Sequence, residues 1–158
     1  DAVMQLYRIG DERHPLWDGT GAALIGGRWS SPGRQVIYAS LSYGGAMLEI
    51  LAHSGIGRVP TTHRYVIAAV PESVSVERYD ATSLAEAWDA ENTTSARRFG
   101  DQWLSGMRSA ILLVPSVVAR LEWNALVNPS HPQAARITLS KAERVVWGKR
   151  LFSSGAGG

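Results

Sequence analysis

Several positions combine a residue type with a setting that could support chemistry. Gly26-Gly27-Arg28-Trp29 puts an arginine beside two glycines. Glycine lets a backbone approach a ligand closely, and a guanidinium can grip a phosphate with two parallel hydrogen bonds. The plainer reading is a tight turn with an exposed arginine. Glu49 lies in LSYGGAMLEILAH. At a helical advance of about 100° per residue, Leu48 and Leu51 share a face, as do Met47 and Leu51. Glu49 turns instead toward Ala46, Ala52 and His53. Gly45 and Ala46 are small enough to leave a ligand room there; the alternative is a solvated acid on an amphipathic helix. Tyr38 and Tyr43 offer flat surfaces for a ring, or else pack in the core. Ser116 follows an apolar run and Pro115, a position at the mouth of a sheet or, equally, a turn cap.

Several common motifs are missing. GxxxxGK[ST] does not occur, and GTGAALIGG is not a dinucleotide fingerprint. There is no GxSxG elbow, so a serine hydrolase is unsupported. The four histidines, His14, His53, His63 and His131, show no HExxH-type spacing, so no metal is expected. The run Asn128-Pro129-Ser130-His131-Pro132 reads first as a rigid turn. With no cysteine, disulfide scaffolds, thiolate zinc sites, iron–sulfur clusters and cysteine nucleophiles are excluded.

Those residues need a scaffold, and 158 residues suit one domain. Hydrophobic residues make up 45% and charged residues 19%, a balance that opposes disorder. Net charge is only +2 and no basic block stands out, which makes nucleic acid a weak candidate ligand. No apolar run reaches the roughly 18 residues of a membrane helix. DAVMQLYRIG has no basic n-region before an apolar stretch, so no signal peptide is expected, and a cysteine-free chain fits the cytoplasm.

Strands are expected at 3–9, 35–39, 62–70 and 110–114, with others at 73–79, 135–139 and 143–147. Residues 10–33 read as a long glycine-rich loop. Helices are expected at 41–53, with Ser40 or Ser42 as N-cap, and at 95–107, where Phe99 and Trp103 share a face. SLAE at 83–86 has the form of a capping box and predicts a short helix. More strands than helices, without regular alternation, indicates an α+β domain with a mixed central sheet. Residues 153–158, SSGAGG, are expected to be a flexible tail.

The pieces occur in a telling order: YRI, GGRWSSPG followed by VIYAS, AMLEILAH, VPS, NPSHP and a final RLF. Together, from about Tyr7 to Phe152, they resemble the RES domain, named for its Arg, Glu and Ser, which would occupy residues 1–152. The resemblance implies an ADP-ribosyltransferase-like fold and a bacterial toxin that acts on NAD. It also implies a partner, an Xre-type helix-turn-helix antitoxin, and a possible oligomer with it. NAD would be the substrate, with no cofactor.

The family Arg falls on Arg28, its Glu on Glu49 and its Ser on Ser116; Tyr38 takes the aromatic position. Arg28 would hold the diphosphate and Tyr38 would pack against the nicotinamide or its ribose. Glu49 would oppose positive charge on the ribose. Ser116 would bond the substrate or position Arg28 or Glu49. Cleavage of the N-glycosidic bond would give a glycohydrolase with water, a phosphorylase with phosphate, or an ADP-ribosyltransferase with a protein acceptor. A non-catalytic antitoxin-binding module is the reading from a different class.

Overall fold

The computed structural model describes residues 2–54 and 59–152; the expected tail at 153–158 lies outside the described residues. In chain order the strands are β1 (Ala2–Asp11), β2 (Ile37–Ser40), β3 (His63–Pro71), β4 (Val76–Arg78), β5 (Ile111–Pro115), β6 (Trp123–Val127), β7 (Thr138–Leu139) and β8 (Glu143–Arg144). The helices are α1 (Thr20–Ile25), α2 (Tyr43–Ser54) and α3 (Thr94–Gly106). Among the described residues the strands form one sheet, ordered β4-β5-β6-β2-β1-β3-β7, with β8 also paired to β3. The β4–β5 pair is parallel and the other pairs are antiparallel. This is the α+β domain with a mixed sheet that the sequence indicates.

The sheet is apolar on both faces where it carries the site. On one face Leu6, Ile37, Ala39, Ile111, Leu113, Ala125 and Val127 pack together. Their neighbours along the same strands, Leu112, Val114 and Leu126, point the other way and meet Trp29, Trp88 and the α3 residues Trp103 and Leu104. This alternation explains AILLVP: a strand buried on both sides reads as an unbroken apolar run. A third cluster lies on that second face, over β1. There Ile9 packs with Ala46 and Leu51 of α2 and with Val145 and Trp147. The second face therefore holds two apolar clusters, one under α3 and one under α2.

The helices form for identifiable reasons. Ser42 is the cap of α2, because its Oγ accepts the Gly45 N–H at 2.9 Å. α2 buries Ala46 and Leu51, whereas Leu48, expected to share the buried face of Leu51, is 43% exposed. α3 buries Ala96, Gly100, Trp103 and Leu104, one stripe at helical spacing. Gly100 is needed there: a Cβ would come within 1.7 Å of the Trp29 carbonyl oxygen.

Four local expectations are corrected. The loop at 10–33 contains α1, a six-residue helix. SLAE does not open a helix, because Asp80 Oδ1 takes the N–H groups of Thr82 and Ser83, and Ala87 adopts a left-handed φ of 66°. The strands expected at 135–139 and 143–147 shrink to two residues each, the first preceded by a 3₁₀ turn at Pro132–Arg136. Strand β6, central to the sheet, is absent from the sequence reading altogether. No helix among the described residues is long and apolar enough to cross a membrane.

Candidate active site

The two clusters on the second face meet along a polar seam. Register places Ser40 of β2 opposite Asn124 of β6, and Asn124 opposite Val114 of β5. These residues share the face that carries Tyr38 and Leu126. Glu49, in the middle of α2, reaches this seam half-buried. Its Oε1 accepts Ser116 Oγ–H at 2.9 Å and Asn124 Nδ2–H at 3.0 Å. Oε2 takes no hydrogen bond among the described residues.

Ser116 is 2% exposed and sits where β5 ends. Its Oγ accepts the N–H groups of Val118 at 3.1 Å and Ala119 at 3.0 Å. With both lone pairs engaged, the hydroxyl proton is directed to Glu49. The loop is closed by Ser116 N–H donating to the Glu122 carbonyl at 2.9 Å and Glu122 N–H to that of Ala119 at 2.8 Å. The Glu122 carboxylate accepts from Ser42 Oγ beside the first turn of α2, where a negative charge is favoured.

Arg28 stands in a tight turn in which Gly27 N–H donates to the Ser30 carbonyl at 2.9 Å. Its Nη1 donates to the carbonyls of Trp88 at 3.2 Å and Ala90 at 2.8 Å. Nε and Nη2 make no hydrogen bond among the described residues, although Asp89, whose carboxyl the Arg120 hydrogen bond holds below its ordinary pKa, is near enough for the Arg28 charge to add to that effect. The turn is held from below by Tyr38, whose hydroxyl accepts Trp29 N–H at 3.1 Å and shares a hydrogen bond with Ser30 Oγ at 2.8 Å. Gly27 allows this, since a Cβ there would lie 2.4 Å from the Tyr38 hydroxyl. Burial pushes the Tyr38 hydroxyl above its ordinary pKa, against the opposing effect of these bonds, so it stays protonated at neutral pH. Arg97 Nε donates to the Gly27 carbonyl at 2.8 Å. Trp29 stacks on Trp88 with centroids 6.0 Å apart.

The structure thus joins Glu49 and Ser116 directly. Arg28 is joined to Tyr38 through its turn, and makes no direct bond to Glu49. The link between the two halves runs through residues 88–90, because Asp89 pairs with Arg120 of the Ser116 loop at 2.7 Å. Tyr43, six residues before Glu49, packs edge-on against Tyr65 at 5.2 Å and Tyr7 at 6.4 Å. Asn124 and Glu122 are not among the candidates that the sequence offers. The available signal was EWNALV, where Asn124 alternates in phase with Leu126 and so faces a buried surface.

Among the described residues no group of His, Cys, Asp or Glu side chains could hold a metal ion. A cavity of about 690 Å³ opens beside the Arg28 turn, lined by Ser31, Arg34, Arg97, Arg98 and Asp101 among others. Neither Glu49 nor Ser116 lines it, so it is an adjoining surface and not the seam itself.

Comparison with known proteins finds a match to the RES domain across residues 5–148. The chain is 38% identical over 137 residues to the Prs ADP-ribosylating toxin of Sphingobium sp. (strain YBL2), covering 85% of each. It is 39% identical over 133 residues to Toxin Res of Pseudomonas putida, covering 83% of this chain and 88% of that one. Among solved structures it resembles a chain of the M. tuberculosis MbcT-MbcA toxin-antitoxin complex. The TM-score is 0.69 at 19% identity, over 89% of this chain and 82% of that one.

Proposed function

The chain belongs to the RES domain family, and on that premise we propose that it is the toxin of a toxin–antitoxin pair that cleaves the N-glycosidic bond of NAD. The observation that carries this reading is the Glu49 carboxylate, with one oxygen tied to Ser116 and Asn124 and the other taking no hydrogen bond among the described residues. Breaking the bond between the ribose C1′ and the nicotinamide nitrogen sends the electron pair to nicotinamide. The ring leaves neutral, so no general acid is needed. Positive charge develops on the ribose, as in glycoside cleavage. A fixed carboxylate beside it is worth more in that transition state than in the bound substrate. With water as acceptor the products are ADP-ribose, nicotinamide and a proton.

The other residues take supporting parts. Arg28 has Nε and Nη2 left for the diphosphate once Nη1 holds the carbonyls of Trp88 and Ala90. Tyr38 fixes the Arg28 turn through its hydroxyl and stands on the same face of the sheet as Ser40 and Asn124. Ser116 orients Glu49. Tyr43 belongs to the aromatic cluster that supports the start of α2. NAD is the substrate and the site calls for no metal. The partner is an Xre-type antitoxin that blocks the seam in the cytoplasm of the producing cell.

A second reading concerns the acceptor. The Sphingobium relative carries the name of an ADP-ribosylating toxin at 38% identity, which favours transfer to a protein in place of water. Both readings share the cleavage step. Expression in bacteria without the partner should arrest growth and lower cellular NAD, and co-expression of the antitoxin should restore both. Normal growth at high expression of folded protein, with NAD unchanged, contradicts the proposal.

A further inference from the structure

We propose that Asn124, held in turn by Ser40, is a positioning residue that sets the Glu49 carboxylate for NAD cleavage; the inference rests on the function proposed above. Asparagine is poorly suited to the interior of a central strand. Its amide must also find partners on a buried face, since an unpaired one is costly there. Here both ends of the amide are used. Ser40 Oγ–H donates to Asn124 Oδ1 at 3.0 Å, and Asn124 Nδ2–H donates to Glu49 Oε1 at 3.0 Å. Ser40 is 3% exposed, so its hydroxyl has little access to water.

The chemistry fixes the orientation of the amide. A carboxylate only accepts, so the nitrogen must face Glu49 and the oxygen must face Ser40. The flipped amide would set two acceptors against each other. Asn124 and Ser116 reach the same carboxylate oxygen from two adjacent strands, β6 and the end of β5. Glu49 itself stands on α2, a separate element with a flexible side chain. Two donors on one oxygen fix the carboxylate plane relative to the sheet. They also leave Oε2 as the oxygen that faces substrate. Ser116 alone would leave the carboxylate free to turn about that single bond.

A residue that only fastened α2 to the sheet would contribute to stability whether or not Glu49 carried a charge. A positioning residue acts through that charge. The test compares the parent with Asn124→Ala, Asn124→Asp, Ser40→Ala, Glu49→Gln and the double variant Asn124→Ala with Glu49→Gln. For each, kcat, KM for NAD and Tm are measured on the same preparation. Asn124→Ala should lower kcat about ten- to a hundredfold, the range for losing a hydrogen bond to a charged group, and leave KM nearly unchanged. Asn124→Asp should be slower still, because it sets a like charge against Glu49. Ser40→Ala should show the same split with a smaller loss, and it carries the test if Asn124→Ala does not fold. In the Glu49→Gln background, Asn124→Ala should cost less than about threefold.

An equal loss of kcat in both backgrounds overturns the inference, as does a change confined to KM or Tm. If Glu49→Gln is slow but the folded Asn124 and Ser40 variants match the parent, the inference fails and the proposed function stands. If Glu49→Gln itself turns over at the parent rate, the proposed function fails and this inference with it.

Discussion

Replacing Glu49 with glutamine removes one charge and preserves almost every contact. The new side chain keeps an oxygen to accept from Ser116 Oγ and Asn124 Nδ2, and its amide nitrogen takes the place of the free Oε2. α2 should therefore keep its cap at Ser42 and its buried residues Ala46 and Leu51. What is lost is the attraction between the carboxylate and the charge forming on the ribose. Two opposite charges about 4 Å apart at an effective dielectric near 20 attract by about 4 kcal/mol. Glu49 is half-buried, so solvent reduces this to about 3 kcal/mol, within the range for removing one electrostatic catalytic group. The rate should fall roughly a hundred- to a thousandfold. NAD affinity by calorimetry should change less than turnover, because in bound NAD the positive charge sits on the nicotinamide ring and moves onto the ribose only in the transition state. A folded Glu49→Gln protein that cleaves NAD within a fewfold of the parent would refute the reasoning.

Arg28→Lys should raise KM for NAD and also loosen residues 88–90, because one ammonium cannot hold two carbonyls and a diphosphate; an unaltered KM would remove Arg28 from the diphosphate role. Gly100→Ala should destabilise the fold by about 3 kcal/mol in chemical denaturation, since its Cβ would meet the Trp29 carbonyl at 1.7 Å; a change under about 0.5 kcal/mol would show that α3 can move aside. Burial pushes the Glu77 carboxyl up, but bonds from Ser109 and Tyr79 and the Arg108 guanidinium outweigh it and hold its pKa below the ordinary 4.5. The stability from Glu77 is then present above about pH 4.5 and lost as pH falls through its lowered value, so Glu77→Gln should flatten the acid side of the stability curve. An acid limb identical to the parent's would count against that assignment.

The parts of the fold legible in the sequence are those in which local pattern and tertiary setting agree. AILLVP announces a strand buried on both faces, and SYGGAMLEILAH announces α2 together with its serine cap. SLAE fails because the competing acceptor lies three residues earlier, at Asp80, and because Leu84 and Trp88 are drawn into the α3 cluster. β6 escapes notice because WNALV is short and its asparagine interrupts an apolar run. That asparagine is also the residue that touches Glu49, so the missed strand and the missed site residue have one cause. Arg28, Glu49 and Ser116 each stand out as separate candidates by residue type and local setting, and only the ordered set of motifs joins them into one expected site. They lie far apart in sequence, and the direct bond between Glu49 and Ser116 depends on α2 crossing the seam beside the end of β5.

The most direct test of the central claim is to incubate the purified chain with NAD and identify the products by mass spectrometry. Parallel reactions contain water alone, added phosphate, or a bacterial lysate as a source of protein acceptors. The account predicts free nicotinamide in at least one reaction, formed in step with NAD loss and nearly abolished by Glu49→Gln. The accompanying ADP-ribose, ADP-ribose 1″-phosphate or modified protein identifies the acceptor. Folded protein that leaves NAD intact in all three reactions, with no nicotinamide released, would contradict it.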